Sequence, residues 1–111
     1  MRRLFANHDY LVMPTAQVFA FDVNEHWPRE IAGHPMATYH EWMKAVCLVT
    51  MSGCPSLAAP AGFGENGLPM GLQIIAPVGC EMDCLKLAHA YEAATGWVAR
   101  RPPPLLGQAR A

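Results

Sequence analysis

Gly64-Glu-Asn-Gly-Leu-Pro-Met-Gly-Leu-Gln-Ile-Ile-Ala-Pro77 joins a tight turn to a short apolar run. Asn66-Gly67 is the pair that supplies positive φ angles to a hairpin-type reversal, so the chain is expected to double back here. The strand that follows, Met70–Ala76, places Met70, Leu72, Ile74 and Ala76 on one face. Its other face holds Gly71, Gln73 and Ile75 and is also largely apolar, which predicts cover on both sides. Gly71 has no side chain, leaving room for another group to come close.

Working outward, Ser56–Pro60 reads as the strand before the turn. Asp9–Met13, closed by Pro14, reads as a third strand covered on both faces, as in a parallel or mixed sheet. Thr38-Tyr-His-Glu41 has the spacing of a capping box and predicts a helix running to Ser52 and stopped by Gly53. The later part of that helix, Ala45–Met51, is apolar nearly all round, so it is expected to be buried on every side. A second helix is predicted over Glu81–Thr95, with Glu81 and Asp83 in its first turn and Gly96 beyond its end. Cys84, Leu87, Ala88 and Tyr91 form its apolar stripe. Residues 14–37 have no periodicity and make a long loop of a kind uncommon inside a compact domain. Residues 97–111 form a Pro-rich tail, read as a surface strap.

The sum is an α/β arrangement of about three strands and two principal helices. A chain of 111 residues is at most one small domain and buries roughly 65% of its unfolded surface. Apolar residues make up 52% and charged residues 15%, against a usual ~25% charged. That excess predicts neighbours beyond those the chain itself supplies. Arg2–Phe5 read as the end of a helix entering the first strand, so the start is expected to lie inside a larger structure. Exposed apolar surface is expected around Ala45–Met51 and Met70–Ala76.

A net charge of −1 gives no electrostatic basis for binding nucleic acid or an anionic membrane. No secretory signal is recognisable, and no apolar run approaches the ~18 residues of a membrane span. The spacings between Cys47, Cys54, Cys80 and Cys84 fit neither a zinc site nor a disulfide scaffold; reduced thiols are expected.

Five strings together resemble one family: Leu11-Val-Met-Pro-Thr15, Ser52-Gly-Cys-Pro-Ser56, Pro60-Ala-Gly-Phe63, Gly67-Leu-Pro-Met-Gly-Leu-Gln-Ile-Ile75 and Leu87-Ala-His-Ala-Tyr-Glu92. They resemble the C-terminal segment of the amidase signature family, over nearly the whole chain from Arg3 to Leu106. That family includes bacterial amidases and the glutamine-hydrolysing subunit of tRNA-dependent amidotransferases. The Gly-Leu-Pro-x-Gly-Leu-Gln string with its upstream Pro-Ala-Gly-Phe is the most specific part. The departure is Cys54, where the family more often has Leu. The resemblance implies a partial domain, residues 1–111, cut from a large mixed sheet whose cover comes mostly from earlier sequence. It also implies a small-molecule amide as the parent's substrate and a cytoplasmic location, with no cofactor and no metal.

The family's reaction uses a serine nucleophile, a second serine in a cis peptide, and a lysine as proton acceptor. A serine hydroxyl needs such a base because it is otherwise a weak nucleophile. This chain offers Lys44, Lys86, Ser52 and Ser56, none in Gly/Ser-rich surroundings, so no catalytic residue is assigned. His8, His26, His34, His40 and His89 have no local spacing to Asp9, Asp22 or Cys47 that would make a catalytic set. What is expected to survive is a piece of substrate-site wall just past the first strand. Thr15 is the hydrogen-bonding candidate, with Phe19 and Trp27 as apolar contacts; Trp42 reads as core. The competing reading is a non-catalytic module that hides its apolar face by self-association or by docking on a partner.

Overall fold

The computed structural model describes residues 1–103 and 106. Strand β5 (Pro69–Ile75) lies at the centre of a three-stranded sheet ordered β1-β5-β4, with β1 at Leu11–Pro14 and β4 at Ser56–Phe63. Both pairings are antiparallel, setting Leu11 and Ser56 opposite Ile75, and Met13 and Ala58 opposite Gln73. The α/β class therefore stands, and within these three strands there is no parallel pair. A bulge at Pro60–Gly62 shifts the β4 register before the hairpin. In the turn only Gly67 takes a left-handed φ, +74°. The Asn66 side chain acts differently from the expected second left-handed residue: its Oδ1 accepts the Leu68 N–H at 3.0 Å.

Helix α3 spans Glu81–Thr95 and ends on Gly96 at φ +62°. Its Cys84 joins Ile74 and Ala76 in a closed core, with Leu57, Leu72, Leu87 and Ala88 packed around them. Each large aliphatic side chain taken from water here contributes about 1.5–3 kcal/mol. The Tyr91 hydroxyl donates to the Pro60 carbonyl at 3.0 Å, tying α3 to β4. On the opposite face of β5, Gln73 is only 5% exposed. Its Nε2 donates to the Pro14 carbonyl at 3.0 Å and its Oε1 accepts from Ser56 Oγ at 3.5 Å. One buried amide thus spans all three strands, as a buried polar group must find partners.

The predicted 38–52 helix is two helices, α1 (Tyr39–Trp42) and α2 (Lys44–Ser52), broken at Met43 with φ −108° and ψ 20°. The Glu41 carboxylate accepts from the Thr38 N–H at 3.3 Å and the Ala37 N–H at 2.6 Å, and Gly53 closes α2 at φ +67°. Helix α2 is not buried on every side. Val49 is enclosed, whereas Leu48 is 61% and Met51 86% exposed. Strand β5 has the cover its two apolar faces predicted and not the exposed surface expected around Met70–Ala76: Gln73 to Ala76 are buried, because β1 and β4 flank β5 and α3 covers one face.

Three smaller differences complete the fold. Residues 2–7 form turns, with Phe5 N–H to Met1 O at 3.0 Å, rather than a helix end. Inside the 14–37 loop, β2 (Glu30–Ile31) and β3 (His34–Pro35) make a small antiparallel hairpin. Its turn is Ala32 at φ +50° and Gly33 at +81°. The tail opens with a short helix, α4 (Trp97–Arg100), whose Trp97 ring lies against Gly62 and Phe63; the tail's Pro104, Leu105 and residues 107–111 lie outside the described residues.

The whole is a slab, 49 × 39 × 21 Å, with a radius of gyration of 16.3 Å. A compact chain of this length has about 13 Å. Its accessible surface is 8206 Å² for 12.1 kDa, where about 6,000 Å² is usual for a closed monomer.

Candidate functional site

The sheet hands the chain to the site at Thr15. The Thr15 N–H donates to Gly71 O at 3.0 Å, continuing the ladder one residue past β1. A β-carbon at Gly71 would lie 2.8 Å from Thr15 Oγ1, so the glycine is what lets this side chain sit over the central strand. Two residues on, Gln17 reaches the break between α1 and α2. Its Nε2 donates to Glu41 O at 3.3 Å, and its Oε1 accepts the Ala45 N–H at 3.1 Å. Breaking a helix orphans backbone groups, and this one amide takes up a carbonyl and an N–H. Sequence reading missed Gln17, since its partners lie 24 and 28 residues away.

Between Thr15–Gln17 and the helix residues Trp42, Met43, Ala45 and Val46 lies a small cavity of about 70 Å³. Trp42 is half-buried, stacked edge-on to Phe21 (5.5 Å) and Tyr39 (5.9 Å). Its indole N–H is shielded from solvent and has no acceptor among the described residues. On the other side of Gln17 an open groove of about 480 Å³ runs between the β2–β3 hairpin and the helices, with Glu41, Lys44 and His34 on its walls.

The three predicted binding residues do not share a cavity. Thr15 lines the small one beside Trp42. Phe19 lines another, on the β4–β5 hairpin, where its ring would meet a β-carbon at Gly64 at 2.9 Å. Trp27 contributes to neither; its Nε1–H donates to Met36 O at 3.3 Å, the Arg29 guanidinium covers its ring at 4.0 Å, and Tyr39 meets it edge-on.

The serines and lysines are engaged locally or stand apart. Ser52 Oγ donates to Val49 O at 2.6 Å and accepts the Cys54 N–H at 3.2 Å. Ser56 turns to Gln73. Lys86 pairs with Asp83 at 2.8 Å on the exposed side of α3, which holds its ammonium pKa up. Lys44 stands exposed at the start of α2. Neither serine hydroxyl is bonded to a lysine among the described residues. Among those residues no cluster of His, Cys, Asp or Glu could hold a metal, the four cysteines are free, and no helix is long and apolar enough to cross a membrane.

An antiparallel sheet closed on one face by its own helix and continued by a loop-lined flank makes a small α/β unit. The Amidase family model matches residues 1–85, and the chain belongs to that family. Relatives named as a subunit of glutamyl-tRNA(Gln) amidotransferase align along most of it. One from Brevibacillus brevis is 36% identical over 101 residues, covering 89% of this chain and 19% of its own. One from Nostoc is 39% identical over 98 residues, covering 88% and 19%. One from Synechococcus is 43% identical over 106 residues, covering 96% and 19%. The chain therefore spans about a fifth of the length of these relatives. No solved structure matches it.

Proposed function

We propose that this chain is the C-terminal segment of an amidase-type hydrolase acting on a carbon–nitrogen bond of a small-molecule amide in the cytoplasm. It builds part of the substrate-site wall while the serine–serine–lysine machinery comes from the remainder of the domain. The observation that carries this is the match across nearly all of the chain to about a fifth of each relative. The surface supports it: Leu48 and Met51 on α2 are open, and the accessible area exceeds that of a closed monomer by about 2,000 Å². A surplus of that size is what a second block of protein would cover. Thr15, beside Trp42 and past the end of β1, is the best placed of the three wall residues. Phe19 and Trp27 shape the loop around it.

A chimera tests this directly, with the chain replacing the matching C-terminal fifth of the Brevibacillus brevis relative. The chimera is expected to release ammonia from an amide, and the isolated chain to release none above buffer. Release by the isolated chain overturns the division of labour; a folded but inert chimera overturns the amidase reading.

The same open face supports a second reading, a non-catalytic module that self-associates or docks on a partner. A stoichiometric, saturable self-complex of the isolated chain in sedimentation favours the module, and non-specific aggregation through the open face favours the partial domain.

A further inference from the structure

Nothing in the sequence from Tyr39 to Ser52 calls for a broken helix. The stretch holds no glycine and no proline, Thr38 and Glu41 cap its start, and Gly53 closes its end. Yet Met43, at φ −108° and ψ 20°, divides it. Breaks without Pro or Gly come from a π-bulge or from a group inserted into the i→i−4 ladder. Here the inserted group is visible. In a continuous helix the Ala45 N–H would donate to the Glu41 carbonyl, four residues back. Those are the two groups that Gln17 holds, its Nε2 donating to Glu41 O at 3.3 Å and its Oε1 accepting the Ala45 N–H at 3.1 Å. One side-chain amide stands in the place of one helical hydrogen bond. Beyond it, α2 restarts on the Met43 carbonyl, which accepts from Val46 N–H at 3.2 Å and Cys47 N–H at 3.1 Å.

Little else fixes the broken form. Helix α1 has four residues, none of them buried, and is too short to persist on its own. Its packing is edge-on, Trp42 against Phe21 and Tyr39 against Trp27, and the shielded Trp42 indole N–H has no acceptor among the described residues, which counts against this arrangement. Straightening would restore the Glu41–Ala45 bond and return the Gln17 amide to water, an exchange of hydrogen bonds whose net effect is small. Gln17 also has somewhere to go: it is half-buried and lines the open groove beside the β2–β3 hairpin.

We propose that Gln17 is a removable wedge and that residues 39–52 form a two-state element, broken at Met43 while the amide is inserted and continuous once it withdraws. The two states exclude each other, because the single Ala45 amide proton bonds either to Gln17 or to Glu41. Met43 is the hinge that absorbs the change in φ and ψ. The segment past β1 and the helix therefore switch together, and whatever draws Gln17 aside straightens the helix. The wedge belongs to this chain whatever reaction the parent performs, so it goes beyond the amidase reading and does not rest on it.

The test is NMR of the full ¹³C,¹⁵N-labelled chain. In the wild type a scalar coupling across the hydrogen bond is expected from the Ala45 nitrogen to the Gln17 side-chain carbonyl, together with a non-helical Met43 Cα shift. Gln17→Ala removes the wedge, and Gln17→Met removes its hydrogen bonds while keeping its bulk. In both variants the coupling is expected to pass to the Glu41 backbone carbonyl and the Met43 shift to move into the helical range, with the Ile74 and Ile75 methyl resonances in place. A Gln17 that only fills space would leave Met43 unmoved by Gln17→Met. The wedge is overturned by a wild-type chain in which Met43 is helical or the Ile74 and Ile75 methyls lack dispersion. It is equally overturned by a Met43 that stays non-helical in either variant, or by loss of the sheet's methyl dispersion in both, since a removable wedge leaves the sheet intact.

Discussion

Gly71→Ala probes the join between the sheet and the site with a single carbon. The added atom would lie 2.8 Å from Thr15 Oγ1, 3.0 Å from Thr15 Cγ2 and 3.3 Å from the Ala59 carbonyl oxygen. The first two contacts belong to a side chain anchored on a laddered backbone, and the third is backbone of the neighbouring strand. Forcing a methyl into such a space costs about 1–3 kcal/mol. Replacing glycine in a strand restores about 0.5–1 kcal/mol of chain entropy, so the net loss is about 1 kcal/mol. For a domain of this size that lowers a urea midpoint by up to roughly 1 M. Thr15→Ala removes both close side-chain atoms. In a double-mutant cycle the pair is therefore expected to be less destabilised than the sum of the singles, with a coupling of about 1 kcal/mol or more. A Gly71→Ala chain as stable as the parent, or a cycle that closes to within about 0.3 kcal/mol, would refute the account of why glycine occupies this position.

Three further outcomes follow from the same packing. Ile74→Ala and Ile75→Ala, at residues 1% and 0% exposed, are each expected to cost about 2–5 kcal/mol; denaturant midpoints check this, and a loss under about 1 kcal/mol at either site contradicts the enclosed core. Leu48→Gln with Met51→Gln is expected to leave the isolated chain within about 0.5 kcal/mol of the parent while reducing its self-association in sedimentation; a large destabilisation means that α2's outer face is already covered. Burial raises the Cys84 thiol above its ordinary 9.0, with Glu81 and Asp83 adding to it against an opposing backbone hydrogen bond. The folded state therefore holds the proton more tightly than the unfolded one, so stability is at its plateau below about pH 9 and falls as the pH rises further. Cys84→Ala should flatten that fall, and a disulfide-exchange reagent at neutral pH should modify Cys84 last among the four cysteines.

Local signals were the legible ones. Gly53 and Gly96 end their helices in the left-handed conformation, and the acidic first turn of α3 sits where the helix begins. The strands, the hairpin and the close approach at Gly71 are each written within a few residues. Features set by distant partners were not legible. The break at Met43 is stabilised by Gln17, and nothing between Thr38 and Ser52 predicts it. The β2–β3 hairpin turns on Ala32 at φ +50°, a conformation that sequence reading reserves for Gly, Asn or Asp. At the site, Thr15 was legible as the residue following a strand and its proline. Trp42 was read as core; it is half-buried against Phe21 and Tyr39, and what the sequence did not show is that its indole N–H has no acceptor among the described residues.

The uneven burial also bears on how a segment of this kind belongs to a larger domain. Strand β5 has its own cover: two neighbours, a helix on one face, and a buried amide linking the strands on the other. Helix α2 does not, and its apolar turn opens Leu48 and Met51 to water. Covering two such side chains contributes about 2–4 kcal/mol, a large share of the roughly 5–15 kcal/mol that holds a domain folded. The sheet can therefore form from the residues at hand, while α2 gains most from what packs on it. The helix whose first turn carries Ala45 and Val46 into the cavity is thus the element most sensitive to a covering partner. Cover on α2's outer face and order in the Thr15–Trp42 wall are two ends of one short helix. Order in that flank therefore depends on cover of α2's outer face, since the stability of each element follows the apolar contacts it makes.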